Sequence, residues 1–128
     1  KQNLERMFDC QITGMAYPYG TYNDEVVQIL KKCKIQYARS VVFSGAFKLQ
    51  KNLLIFKPTC HHADENIWEL LEKFLKEKSE EKQLFYIWGH SYEFDVNNNW
   101  KRMEEILDRL IGHNNIFYGT NREVLLPC

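Results

Sequence analysis

Leu84-Phe85-Tyr86-Ile87-Trp88 is apolar at every position, and Gly89-His90-Ser91 closes the run. An unbroken apolar stretch ended by a glycine reads as a strand buried on both faces, the kind found in parallel sheets. Helical patterns flank it. Upstream, Ile67, Trp68, Leu70, Leu71, Phe74 and Leu75 recur at helical spacing, with lysines and glutamates opposite and Asp64 placed to cap the start. Downstream, Trp100, Met103, Ile106, Leu107 and Leu110 form the inward stripe of a helix that begins near Asn98 and stops at Gly112. Strands alternating with helices in this way predict an α/β chain with mainly parallel strands.

The earlier sequence repeats the pattern. Ile12 to Ala16 reads as a short strand stopped by Pro18 and Gly20, and Asn23 or Thr21 caps a helix with Val26, Val27, Leu30 and Cys33 on one face. Ile35 to Phe43 and Leu53 to Phe56 read as further strands, joined by a link too short for a crossover helix and therefore a hairpin or a surface excursion. Ile116 to Tyr118 makes a last short strand, and Leu4, Met7 and Phe8 look like the tail of a helix. So few strands cannot close a barrel of eight units. They fit a small open sheet or the second half of a larger barrel. A length of 128 residues suggests a single domain, residues 1–128.

Composition narrows the function. With 45% hydrophobic and 14% aromatic residues the chain can build a core. Its 17 basic residues balance 17 acidic ones, which argues against a nucleic-acid partner. No apolar run reaches the ~20 residues of a membrane span. Cys10, Cys33, Cys60 and Cys128 form no C-x-x-C pair and read as reduced, mostly buried thiols rather than a disulfide framework or zinc knuckle. Together with the lack of a visible signal peptide, they favour a cytoplasmic setting. Lys1 in place of an initiator methionine suggests a start that is cut, processed or incomplete.

Chemistry is expected in the loops that follow strands. In Tyr17-Pro18-Tyr19-Gly20, proline fixes the backbone and glycine permits a sharp turn, so the segment is either a plain strand-to-helix turn or a holder of amides aimed at an oxyanion. His90 is either a proton donor, oriented by Glu93 or Asp95, or an imidazole tied to neighbouring loops. Thr59-Cys60-His61-His62-Ala63-Asp64 is the densest group of potential ligands. Adjacent histidines on extended backbone point to opposite faces, so they are not expected on one metal, and no metal ligand is assigned. Nothing in the sequence activates Cys60 as a nucleophile.

Ala16-Tyr17-Pro18-Tyr19-Gly20, Tyr37-Ala38-Arg39-Ser40-Val41 and Trp88-Gly89-His90 resemble, in order and spacing, the later motifs of the polysaccharide deacetylases of the nodulation-type chitooligosaccharide deacetylase homology family. Ala16 stands where many members have arginine, and Trp88 where they have leucine. The closing Ile116 to Val124 also resembles the last strand and loop of such domains. The resemblance implies the C-terminal part of a deformed (β/α) barrel, a carbohydrate from which acetyl groups are hydrolysed, and a divalent, zinc-like metal. It implies that Tyr19 gives an oxyanion-hole amide, Arg39 tunes a catalytic carboxylate, and His90 protonates the leaving amine or alcohol. Tyr17, Pro18, Trp88, Tyr92, His61 and His62 are the expected substrate contacts. The family's acidic T-F-D-D and H-x-x-x-H-like motifs, which carry the base and the metal ligands, are not in this sequence. The chain alone is therefore expected to be weak or inactive, and to need a second copy or an upstream segment to cover its open edges. The alternative is a non-catalytic carbohydrate-binding or interaction module, with Tyr17, Tyr19, Trp88 and Tyr92 stacking on sugars.

Overall fold

The computed structural model describes residues 1–126. In chain order its first elements are α1 (Gln2–Phe8), β1 (Gly14–Ala16), α2 (Asp24–Lys32), β2 (Tyr37–Arg39) and β3 (Cys60–His61). Then come α3 (Ile67–Lys76), β4 (Ile87–Trp88), α4 (Tyr92–Val96), α5 (Trp100–Leu110) and α6 (Asn121–Leu125). The fold mixes helices with short parallel strand pairs, β1 with β2 and β3 with β4. Among the described residues these are separate two-stranded ladders, and no barrel is seen. Among the described residues no helix is long and apolar enough to cross a membrane. The described residues divide into two compact units, one holding 1–42, 50–57 and 117–126, the other 43–49 and 58–116.

In the first unit, Asn23 accepts a hydrogen bond from the Val26 amide at 2.9 Å and opens α2. Asp24 and Glu25 in its first turn and Lys31 and Lys32 in its last complement the helix dipole. Val27, Ile35, Ala38, Leu54 and Tyr17 form the core, with Val26 and Leu30 packed beside them. Leu53–Ile55 is a tight 3-10 turn rather than the expected strand, because the Asn52 side chain takes the Leu54 amide at 3.2 Å. Only Phe56 reaches the ladder, bridging Arg39. The apolar residues of α1 are exposed, and so is Cys33 at the end of α2. Residues 116–118 are irregular, and α6 follows from a reciprocal capping box between Thr120 and Glu123.

In the second unit, Ile67 and Leu71 of α3, Ile106 of α5 and Cys60 of β3 pack together. A second group joins the rings of Phe47, Phe74 and Phe85, 5.2 to 5.7 Å apart. The link before residue 50 is thus an excursion, whose Lys48 makes an antiparallel bridge to Gln83. Leu84–Trp88 is half-buried rather than buried on both faces. Its early part is taken up elsewhere: the Leu84 amide bonds the Phe47 carbonyl, and the Tyr86 amide bonds the Thr59 hydroxyl. Only Ile87 and Trp88 pair with β3, along one edge. Asp64 does not cap α3; it accepts from the Asn66 amide at 2.9 Å, one turn earlier. Trp100 and Leu107 are half-exposed, and Trp100 folds back against Phe94 and donates to Asp95 at 2.7 Å.

Candidate functional site

β3 ends at His61, and the chain then turns, with the Asp64 amide donating to the His61 carbonyl. The turn ends the side-chain alternation of extended backbone, so His61 and His62 lie on one side, their rings 4.3 Å apart. This corrects the expectation that they diverge. His62 is 2% exposed, packed on Phe94 and on the backbone of Gly89, with Nε2 2.7 Å from Glu93 Oε2. His61 Nε2 is 3.3 Å from the same oxygen, and its ring meets the edge of Trp88.

Glu93 lies three positions after His90, in the first turn of α4, and its Oε2 accepts the His90 backbone amide at 2.9 Å. The His90 ring is exposed, with Nδ1 3.6 Å from that oxygen and Tyr92 and Trp88 on its flanks. The His62 hydrogen bond, then the His90 amide, hold the Glu93 carboxyl down to about 2. Burial, then the neighbouring His62, holds the His61 imidazole below the usual histidine range. With a carboxylate at Nε2, neutral His62 carries its proton there, leaving Nδ1 buried without a partner among the described residues.

Arg102 of α5 fixes the loop. Its guanidinium donates to the carbonyls of His62 at 2.9 Å and Asp64 at 2.7 Å, and lies over the Trp68 ring. Sequence reasoning passed over Arg102, although a signal was present: it sits one turn before buried Ile106 on the inward stripe of α5. Glu93 was anticipated as an orienter of His90, yet its shortest side-chain bond goes to His62.

The other expected residues divide. Cys60 is fully buried and its thiol is pushed up to about 12 by burial, which removes it as a nucleophile. His62 is enclosed and cannot meet a substrate. In the first unit, Tyr17 is core rather than substrate contact: it is 4% exposed, stacks on Tyr22 and donates to the Leu54 carbonyl at 2.7 Å. Pro18 and Tyr19 are exposed, and Tyr19 holds a left-handed φ of 54°, a strained state for a residue with a side chain. Arg39 accepts the Tyr17 amide at its carbonyl, and its guanidinium donates to the Ser40 carbonyl at 3.2 Å. Tyr17, Pro18, Tyr19 and Arg39 belong to the first unit, while His61, His62, Trp88, His90, Tyr92 and Glu93 come together in the second. A shallow depression of about 300 Å³, lined by Phe47, Lys48, Lys73 and Gln83 among others, shares no residue with the histidines.

The cluster thus offers an exposed imidazole, a fixed carboxylate and a half-buried imidazole at the ends of two parallel strands. Comparison of the chain with protein-family models, curated proteins and solved structures finds no match.

Proposed function

We propose that this chain contributes the leaving-group side of a hydrolase that removes acetyl groups from a carbohydrate, built on part of a (β/α) barrel. The observation that carries the reading is His90, an exposed imidazole just beyond β4, with the Trp88 and Tyr92 rings 6.0 and 5.4 Å away. Aromatic faces of this kind stack on sugar rings, and an imidazole beside them can protonate a departing amine or alcohol. Glu93 anchors the His90 backbone and so limits where the ring can swing. The base and the cation ligands implied by the resemblance are carried by motifs that this sequence does not contain. The step assigned to this chain is proton donation.

Binding of acetylated sugar oligomers, followed by NMR with acetate release measured in parallel, tests the proposal. Expected are perturbed Trp88 and Tyr92 signals, slow release at best, and a His90→Ala variant that keeps sugar affinity while losing any release. A chain that binds no acetylated oligomer overturns it. A non-catalytic carbohydrate module would bind equally well and release no acetate at all.

A further inference from the structure

We propose that His61, His90 and Glu93 form a binding site for a zinc-like divalent cation. One ring nitrogen from each histidine and one carboxylate oxygen lie within 4.8 Å of one another. Measured to Glu93 Oε2, His61 Nε2 is 3.3 Å away and His90 Nδ1 is 3.6 Å away. Donors at ~2.0–2.2 Å from a tetrahedral zinc stand about 3.4 Å apart, close to the two distances to Glu93; the two imidazoles, within 4.8 Å, draw together to complete the set. Two imidazoles and a carboxylate leave a fourth position open. Imidazole nitrogens favour zinc-class ions over magnesium or calcium, which take oxygen. The donor set is separate from the acidic and H-x-x-x-H-like motifs that the resemblance implies.

The surroundings support a ligating role. Glu93 Oε2 receives His62 Nε2–H and the His90 amide, contacts of the kind that orient a metal-bound carboxylate. His62 is enclosed with Nδ1 unpartnered, and its hydrogen bond aims Glu93. Arg102 holds the carbonyls on either side of Ala63, so the loop is ordered before any cation arrives. One contact has to change. The Ala63 amide donates to His61 Nδ1 at 3.2 Å, which leaves the ring proton on Nε2. A cation on Nε2 moves that proton to Nδ1 and releases the amide, exchanging one long hydrogen bond for a metal–nitrogen bond.

The site goes beyond the hydrolase reading and does not rest on it. A cation on His90 occupies the ring that the reading uses as an acid, so occupancy inhibits that step. The test is zinc binding by the whole chain, titrated against a chromophoric chelator, with amide NMR following Ala63. Expected are one zinc per chain, a displaced Ala63 amide, and affinity weakened at least about 100-fold by His61→Ala or Glu93→Gln, since even outer contacts are worth about 10–100-fold. Glu93→Gln keeps an acceptor for His62, and core NMR shifts report whether each variant is folded. His113→Ala, at a histidine outside the cluster, leaves binding unchanged. No saturable binding, or binding that survives His61→Ala, overturns the site. Sugar binding is read separately, so each proposal can fail without the other.

Discussion

The His62 imidazole lies so close to the backbone of Gly89 that a Cβ at Gly89 would overlap the ring. Glycine is therefore required by contact at the end of β4. Gly89→Ala pushes His62 off Glu93 and destabilises the protein by about 1–3 kcal/mol, the usual cost of overpacking. Denaturant unfolding measures the loss, and the His62 ring signals should move furthest.

Acid should weaken the same cluster in two stages. Glu93 has a folded pKa of about 2, below the ~4.3 of a free side chain, so its contribution is full above that range and is lost as pH falls toward 2. His61 is also held below its ordinary value, so the unfolded chain takes up a proton first and stability begins to fall just under about pH 6.5. Unfolding of chelator-treated protein at several pH values tests this. Glu93→Gln should flatten the curve between about pH 2 and 5 and leave the upper step in place.

Thiol labelling should separate the cysteines. Cys10 and Cys33 are exposed, whereas Cys60 is buried with its thiol pushed up to about 12. At about pH 8 the native protein should be alkylated at Cys10 and Cys33, and at Cys60 at least about three orders of magnitude more slowly. Mass spectrometry of timed digests reads the rates. Cys128 lies outside the described residues.

Arg102→Ala should leave the carbonyls of His62 and Asp64 without their charged donor. A cost of about 1.5–3 kcal/mol is expected for hydrogen bonds of this type. Arg102→Lys should recover only part of it, because an ammonium lacks the fork that reaches both carbonyls. Thermal unfolding of the two variants, with hydrogen exchange at Ala63, makes the comparison.

Particular residues show what the sequence could reveal. Ile67, Leu71 and Ile106 were legible because helical spacing alone puts them inward, and all three are fully or almost fully buried. Leu53 to Phe56 misled because strand propensity ignores Asn52, whose side chain bends the following backbone. Thr120 and Glu123 carried a capping-box signature that an apparent strand at Ile116 to Tyr118 obscured. Tyr17 looked like a rim aromatic, yet its hydroxyl reaches Leu54, a partner 37 residues away that no local pattern announces. The histidine pair marks the same limit. Alternation was applied one residue past the end of β3, where the turn had already cancelled it.

The clamp from Arg102 to the His62 carbonyl spans 40 residues. During synthesis, the loop carrying both histidines leaves the ribosome well before the arginine that holds it. Until α5 is made and docked, the carbonyls of His62 and Asp64 lack the guanidinium that ties them in the finished fold.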